Sequence, residues 1–258
     1  MSKKESKART IAVALAVCLV CSIGVSAAAV ILKPLQTANK LADKRKNILQ
    51  VVGRYEEGID INAAFEAVEA RVIDLETGEF VQGQEVDPSN YDMYAAAKDP
   101  ERSKALPKSE DIAGIGRKPH YATVYLVRDD GGAIESIILP VHGYGLWGQM
   151  YGFLALEGDG QTVQGISFYD HKETPGLGGE VDNINWKLQW PGKQVYGDDA
   201  EVALRLIKGN VGDDTAEAEH KIDGLAGATL TSNGVTNLVR YWLSDSGYRP
   251  FLNKITRG

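Results

Sequence analysis

Cysteine is almost missing from this 258-residue chain: Cys18 and Cys21 are the only two, and both lie in one apolar run near the N-terminus. The rest of the chain can therefore form no disulfide and hold no thiolate-bound cluster. Within the run the pair reads as small apolar helix residues, since two thiols alone are too few for zinc. Histidine is scarce too. His120, His142 and His220 stand isolated, and His171, Glu173 and Glu180 lack any specific metal-ligand spacing. No Gly-x-Gly-x-x-Gly follows the first strand, which argues against a doubly wound dinucleotide fold. The stretch "DGLAGATLTSNGV" (223–235) has the small and hydroxylated residues of a phosphate loop but no lysine of the Gly-x-x-x-x-Gly-Lys-Ser/Thr type.

Charge is absent from Thr10 to Leu32, a run of 23 residues. At about 1.5 Å per residue, a helix there reaches roughly 35 Å, enough for a hydrocarbon core of about 30 Å. Two other readings compete. A cleaved signal peptide would use Ser26-Ala27-Ala28, but Val30-Ile31-Leu32 extend the apolar run beyond it. A lipoprotein site at Cys18 or Cys21 would need a small residue where each has a valine. A retained anchor at 10–32 fits best. Lys3, Lys4, Lys7 and Arg9 crowd its N-terminal flank while only Lys33 abuts the other, so residues 1–9 are expected in the cytoplasm and the large domain outside it. Basic residues are also in deficit further on. Residues 1–50 hold nine Lys and Arg against two acidic residues, whereas the remainder holds 19 against 33. So acidic a domain is a poor partner for nucleic acid.

After the anchor, residues 33–55 read as a helical stalk with Leu35, Leu41, Ile48 and Val52 along one stripe. A short helix over 64–70, a strand over 69–75 and a turn at "DLETGEF" follow. Residues 87–119 are turn-rich, with at most two weak helical pieces and little core of their own. "YATVYLV", "AIESIILPV", "YGFLALE" and "QTVQGISFYD" then follow at close spacing, with glycine-rich turns marking antiparallel neighbours. Helices are expected around 200–208 and 235–243. The pattern predicts an α+β domain over 56–258 with a mainly antiparallel sheet.

Three segments are dense in glycine: "VHGYGLWGQMYG" (141–152), "HKETPGLGGE" (171–180) and "DGLAGATLTS" (223–232). Each alone reads as a turn. Together, with Trp147, Tyr151 and Leu177 available for ring contacts, they point to a ligand cleft, because glycine lets backbone approach a planar ligand closely. Thr231 or Ser232 is the expected N-cap of the next helix, with Thr229 just before it. No Ser-His-Asp pattern surrounds Thr229, so a covalent bond at its hydroxyl requires activation by another enzyme.

"DGLAGATLTS" resembles the Asp-x-x-Ser/Thr-Gly-Ala-Thr flavinylation signature of the FMN-binding domain family, and "GYGLWGQM" and "ETPGLGG" are similar to two further stretches of it. With one N-terminal span, nearly the whole chain resembles the C-subunit family of the Na⁺-translocating NADH:quinone oxidoreductases. The resemblance implies FMN joined by a phosphoester to Thr229, attached by a separate flavin transferase using FAD and Mg²⁺ that recognises Asp223. Gly227 and Ala228 belong to the same signature. It further implies that Thr174, Leu177, Gly145, Leu146 and Trp147 lie against the flavin. The protein would then relay electrons within a complex of six subunits that oxidises NADH, reduces quinone and exports Na⁺. Its domain would lie on the periplasmic side of the bacterial inner membrane. Ala226 departs from the pattern, standing where the family has Ser or Thr. Two rival readings remain: the G subunit of the Rnf ferredoxin:NAD⁺ oxidoreductase, usually shorter across 60–119, and a membrane-tethered module holding its ligand non-covalently.

Overall fold

A computed structural model describes residues 7–81 and 86–256. The chain divides into two compact units at Lys44. The first is helical. Helix α1 (Lys7–Val51) runs through Pro34 without ending, and its apolar side chains from Ile11 to Leu41 are bare. Among the described residues it is the one helix long and apolar enough to cross a membrane. Cys18 and Cys21 are exposed on it as free thiols.

The second unit takes in the last turns of α1, where Ile48, Leu49 and Val51 are buried. Of the four positions in the expected stalk stripe, only Ile48 is buried; Leu35 and Leu41 are exposed and Val52 lies beyond the helix end. Helix α2 (Ile61–Phe65) starts earlier than expected because the Asp60 carboxylate caps the amides of Asn62 and Ala63. Strand β1 (Val68–Asp74) follows, and the Asp74 carboxylate binds the Glu76 and Thr77 amides to close the turn read in "DLETGEF". Helix α3 (Met93–Ala96) and the paired β2 (Ser103–Ala105) and β3 (Arg117–Pro119) make up the turn-rich region. That region has no separate core cluster among the described residues; it inserts Tyr91, Met93, Ala96 and Ala113 into the main core.

Strands β4 (Tyr121–Arg128), β5 (Ile134–Tyr144), β6 (Gln149–Glu157) and β7 (Val163–Asp170) form a meander, and β1 pairs with β4 to complete an antiparallel sheet of order β1-β4-β5-β6-β7. These strands read as nearly continuous apolar runs because both faces are covered. Ile137, Leu139, Val141, Leu154 and Leu156 face the larger core. Tyr125, Val127, Ile138, Phe153 and Ala155 instead join the end of α1 in a smaller one. Each large apolar side chain among them, fully buried, contributes about 1.5–3 kcal/mol.

After a one-turn α4 (Ile184–Lys187), the expected helix at 200–208 is absent. Ala200 takes a positive φ, and the chain enters β8 (Arg205–Leu206), which pairs in parallel with β9 (Lys221–Ile222). The Ile207 amide bonds to Ile222, and the Leu206 amide to Thr236. Long-range acceptors thus claim the amides that a local helix needs. Helix α5 (Thr229–Trp242) lies on β5, and α6 (Arg249–Ile255) follows near the C-terminus. The approach of α5 depends on Gly234, where a Cβ would fall 2.5 Å from the Tyr144 carbonyl oxygen. The domain is α+β with a mainly antiparallel sheet, as the sequence predicts.

Candidate functional site

The three glycine-dense segments meet at the end of the sheet where α5 begins. Residues 145–148 form the hairpin between β5 and β6, closed by the Gly145 amide on the Gly148 carbonyl. Gly143 to Gly148 does spell Gly-x-Gly-x-x-Gly, but it joins two antiparallel strands and opens no helix, so it is not a dinucleotide fingerprint. Residues 171–177 leave β7 and fold back on themselves, with the Thr174 carbonyl accepting from the Leu177 and Gly179 amides. Residues 223–228 lead into α5.

Glu173 ties the three together. It is only 5% exposed, yet no cation pairs with its carboxylate among the described residues. Oε1 accepts from the amides of Leu146 (2.9 Å) and Trp147 (3.0 Å), and Oε2 from the Thr231 hydroxyl (2.6 Å). In the sequence Glu173 stands only beside His171 and Glu180, a group without metal-ligand spacing. Its partners lie 26 to 58 residues away, and no local spacing announces them. Next to it, His171 bonds Asp182 through Nε2 (2.8 Å), while the Glu173 amide points at Nδ1 (3.2 Å). The Asp182 carboxylate pushes the His171 pKa up, against a smaller opposing effect of burial.

The start of α5 differs from expectation. Neither Thr231 nor Ser232 caps it, because Thr231 is drawn to Glu173 and the Ser232 hydroxyl is held between the Leu225 amide and the Ala228 carbonyl. The N-cap is Ala228, with no side chain to offer, and Thr229 is the first helical residue. The amides of Thr229, Leu230 and Thr231 accordingly have no acceptor among the described residues. Thr229 is exposed, and its hydroxyl has no hydrogen bond among the described residues. Gly227 precedes it with φ +70°, and a Cβ there would meet Leu177 Cδ2 at 3.0 Å. Around this point large apolar side chains stay bare: Trp147 is 63% exposed, Leu230 59%, Leu177 43% and Leu146 38%. Thr174, in the 171–177 loop, and Ala226 are both exposed.

Asp223 sits apart from Thr229 in its bonding. Its Oδ1 accepts from the Val211 amide (2.7 Å), its own amide donates to Gln189, and its carbonyl accepts from Trp186 Nε1. Oδ2 has no hydrogen bond among the described residues. Tyr151, considered for ring contact, stacks instead on His142 behind the hairpin, with ring centroids 5.7 Å apart. His142 is enclosed by Tyr94, Tyr151 and Trp242. Its Nδ1 has no partner among the described residues, and burial drives its pKa down to about 3.

The chain resembles known proteins along its whole length. It is 51% identical to the C subunit of the Na(+)-translocating NADH-quinone reductase of Pseudomonas aeruginosa, covering 100% of this chain and 99% of that one. The C subunit of the same reductase from Vibrio alginolyticus is 46% identical, over 100% and 98%. The chain belongs to the C-subunit family of the Na(+)-translocating NADH-quinone reductases. Residues 145–244 match the FMN-binding domain family, a span that takes in all three segments of the cleft apart from their outermost residues at 141–144. The crystal structure of Shewanella oneidensis NqrC superposes with a TM-score of 0.77 at 33% identity, covering 85% of this chain and all of that one. The C subunit from Parabacteroides distasonis gives 0.66 at 28% identity, covering 86% and 96%. Relatives within the family thus share this fold as well as this sequence.

The residues suit FMN. An uncapped helix start offers amides and a positive dipole end to a phosphate. The apolar rim of Leu146, Trp147 and Leu177 suits the faces of a flat ring. Gly227 leaves room beside Leu177 that any larger residue would fill.

Proposed function

We propose that this chain is the covalent-FMN electron-carrier subunit of a Na⁺-translocating NADH:quinone oxidoreductase. The observation that carries the reading is the exposed Thr229 hydroxyl, without a hydrogen bond among the described residues, at the uncapped start of α5 inside a rim of bare apolar side chains. Attachment transfers the FMN phosphoryl group from FAD to Thr229 Oγ. The Oγ–P bond forms, the pyrophosphate bond breaks, AMP leaves, and the hydroxyl proton goes to solvent or to a base of the transferase. Among the described residues no base is bonded to the Thr229 hydroxyl, in keeping with an external flavin transferase that uses Mg²⁺. A diester carries one negative charge where a free phosphate carries about two, so the open amides suffice without a lysine.

Asp223, with Oδ1 engaged and Oδ2 open, is the mark the transferase reads. Gly227 and Ala228 deliver the backbone to the phosphate. Thr174, Leu177, Gly145, Leu146 and Trp147 hold and orient the ring. Bound flavin supplies the redox chemistry, and the protein supplies position and electrostatic tuning. Residues 10–32 anchor the chain in the inner membrane, 33–55 form a stalk, and 56–258 work on the periplasmic side, passing electrons between other centres of a complex of six subunits. Full-length identity to C-subunit proteins of the reductase supports this reading over an Rnf G subunit.

The test is a denaturing gel. Wild type co-expressed with the transferase should give a fluorescent flavin band that Thr229→Val abolishes. A band that persists in the variant overturns the acceptor, and no band in wild type leaves only non-covalent binding.

A further inference from the structure

Glu173 has a place in the cleft that flavin attachment alone does not require. It is a buried carboxylate whose every bond is accepted from a neutral donor: the Leu146 and Trp147 amides at Oε1 and the Thr231 hydroxyl at Oε2. Acceptance at both oxygens is the pattern of an ionised carboxylate. Space around it is fully used. A Cβ on Gly145 would fall 2.5 Å from Oε1, and one on Gly178 would fall 2.6 Å from Oε2 and 2.5 Å from Thr231 Oγ1. Its hydrogen bonds join the hairpin, the 171–180 loop and the first turn of α5 through one side chain.

We infer that Glu173 is the positioning residue of the flavin site and also sets the flavin's potential. This rests on the FMN reading of the same cleft. The carboxylate locks the hairpin bearing Leu146 and Trp147 to the turn bearing Thr229, so ring wall and attachment point keep one spacing. Its charge lies beneath that hairpin. Reduction adds negative charge to a flavin, and a buried carboxylate nearby opposes this far more than it would in water. Glu173 therefore holds the potential down.

Two variants of the full chain, each co-expressed with the transferase, separate the effects. Glu173→Gln keeps the shape and removes the charge, since its amide oxygen still accepts from both backbone amides and the Thr231 hydroxyl turns to accept. The denaturing gel should show flavin still attached, and redox titration should show the potential shifted positive. Thr231→Val keeps the charge and removes one tie. The flavin's visible circular dichroism should then weaken and its fluorescence polarisation fall, with a smaller change in potential. If both variants match wild type in potential and dichroism, the inference is wrong although the attachment stands. If wild type carries no covalent flavin, or Thr229→Val still does, the reading beneath it fails, and this inference with it.

Discussion

Two parts of this chain leave large apolar side chains bare, and they do so differently. From Ile11 to Leu41 the bare residues lie all around one helix, with no charge from Thr10 to Leu32. Around Thr229 a few bare residues, Leu146, Trp147, Leu177 and Leu230, rim a cluster of backbone amides at the start of α5 that have no acceptor among the described residues. The first surface suits a solvent without hydrogen bonds, since a helix satisfies its backbone groups internally. The second suits a ligand with an apolar face and an anionic end. Bare apolar area alone does not separate a membrane from a cofactor; the polar groups left open beside it do.

The comparison breaks most readily at the helix. Ile23→Asp with Ala27→Arg places two charges near the centre of the run, at about 2.5–3.5 kcal/mol each on insertion. Fractionation should find the protein lost from the membrane, whereas the same pair of charges on the rim would leave it there. Behind the rim, His142 shows what burial costs. Its pKa falls from 6.5 to about 3, so the unfolded chain binds a proton that the folded one refuses, and stability drops as pH falls from 6.5 toward 3. At about 1.36 kcal/mol per pH unit, the full loss is on the order of 5 kcal/mol. Chemical denaturation across that range should show the loss, and His142→Phe should flatten it.

Smaller effects follow at the cleft itself. Gly227→Ala forces a side chain into φ +70° against Leu177, and should cost about 1–2 kcal/mol in a melt while lowering flavin yield on the gel. Leu177→Ser and Trp147→Ser touch exposed side chains and should change stability by no more than about 0.5 kcal/mol. Both should nevertheless alter the flavin's visible spectrum. A rim substitution that destabilised the fold as much as a core one would mean the bare residues serve packing instead.

The meander was legible because its four strands carry apolar runs between glycine turns, and the turn at 74–80 because Asp74 binds amides two and three residues on. Local chemistry of that kind can be read along a chain. What failed was long-range. The segment 200–208 has the local pattern of a helix, but the Leu204, Leu206 and Ile207 amides are claimed by Val195, Thr236 and Ile222. The hydroxyls expected to cap α5 were claimed by Glu173, Leu225 and Ala228. At the cleft, composition and position reached a phosphate-compatible loop. Family resemblance was needed to choose Thr229 among its hydroxyls, and nothing in the sequence exposed Glu173 as the tie.

The most direct measurement is the mass of the protease-derived peptide that contains Thr229, taken from protein matured with the transferase and FAD. The account predicts a gain of one FMN less one water, with fragmentation placing it on Thr229. An unmodified peptide alongside released flavin, or the added mass on Thr231 or Ser232, would contradict it.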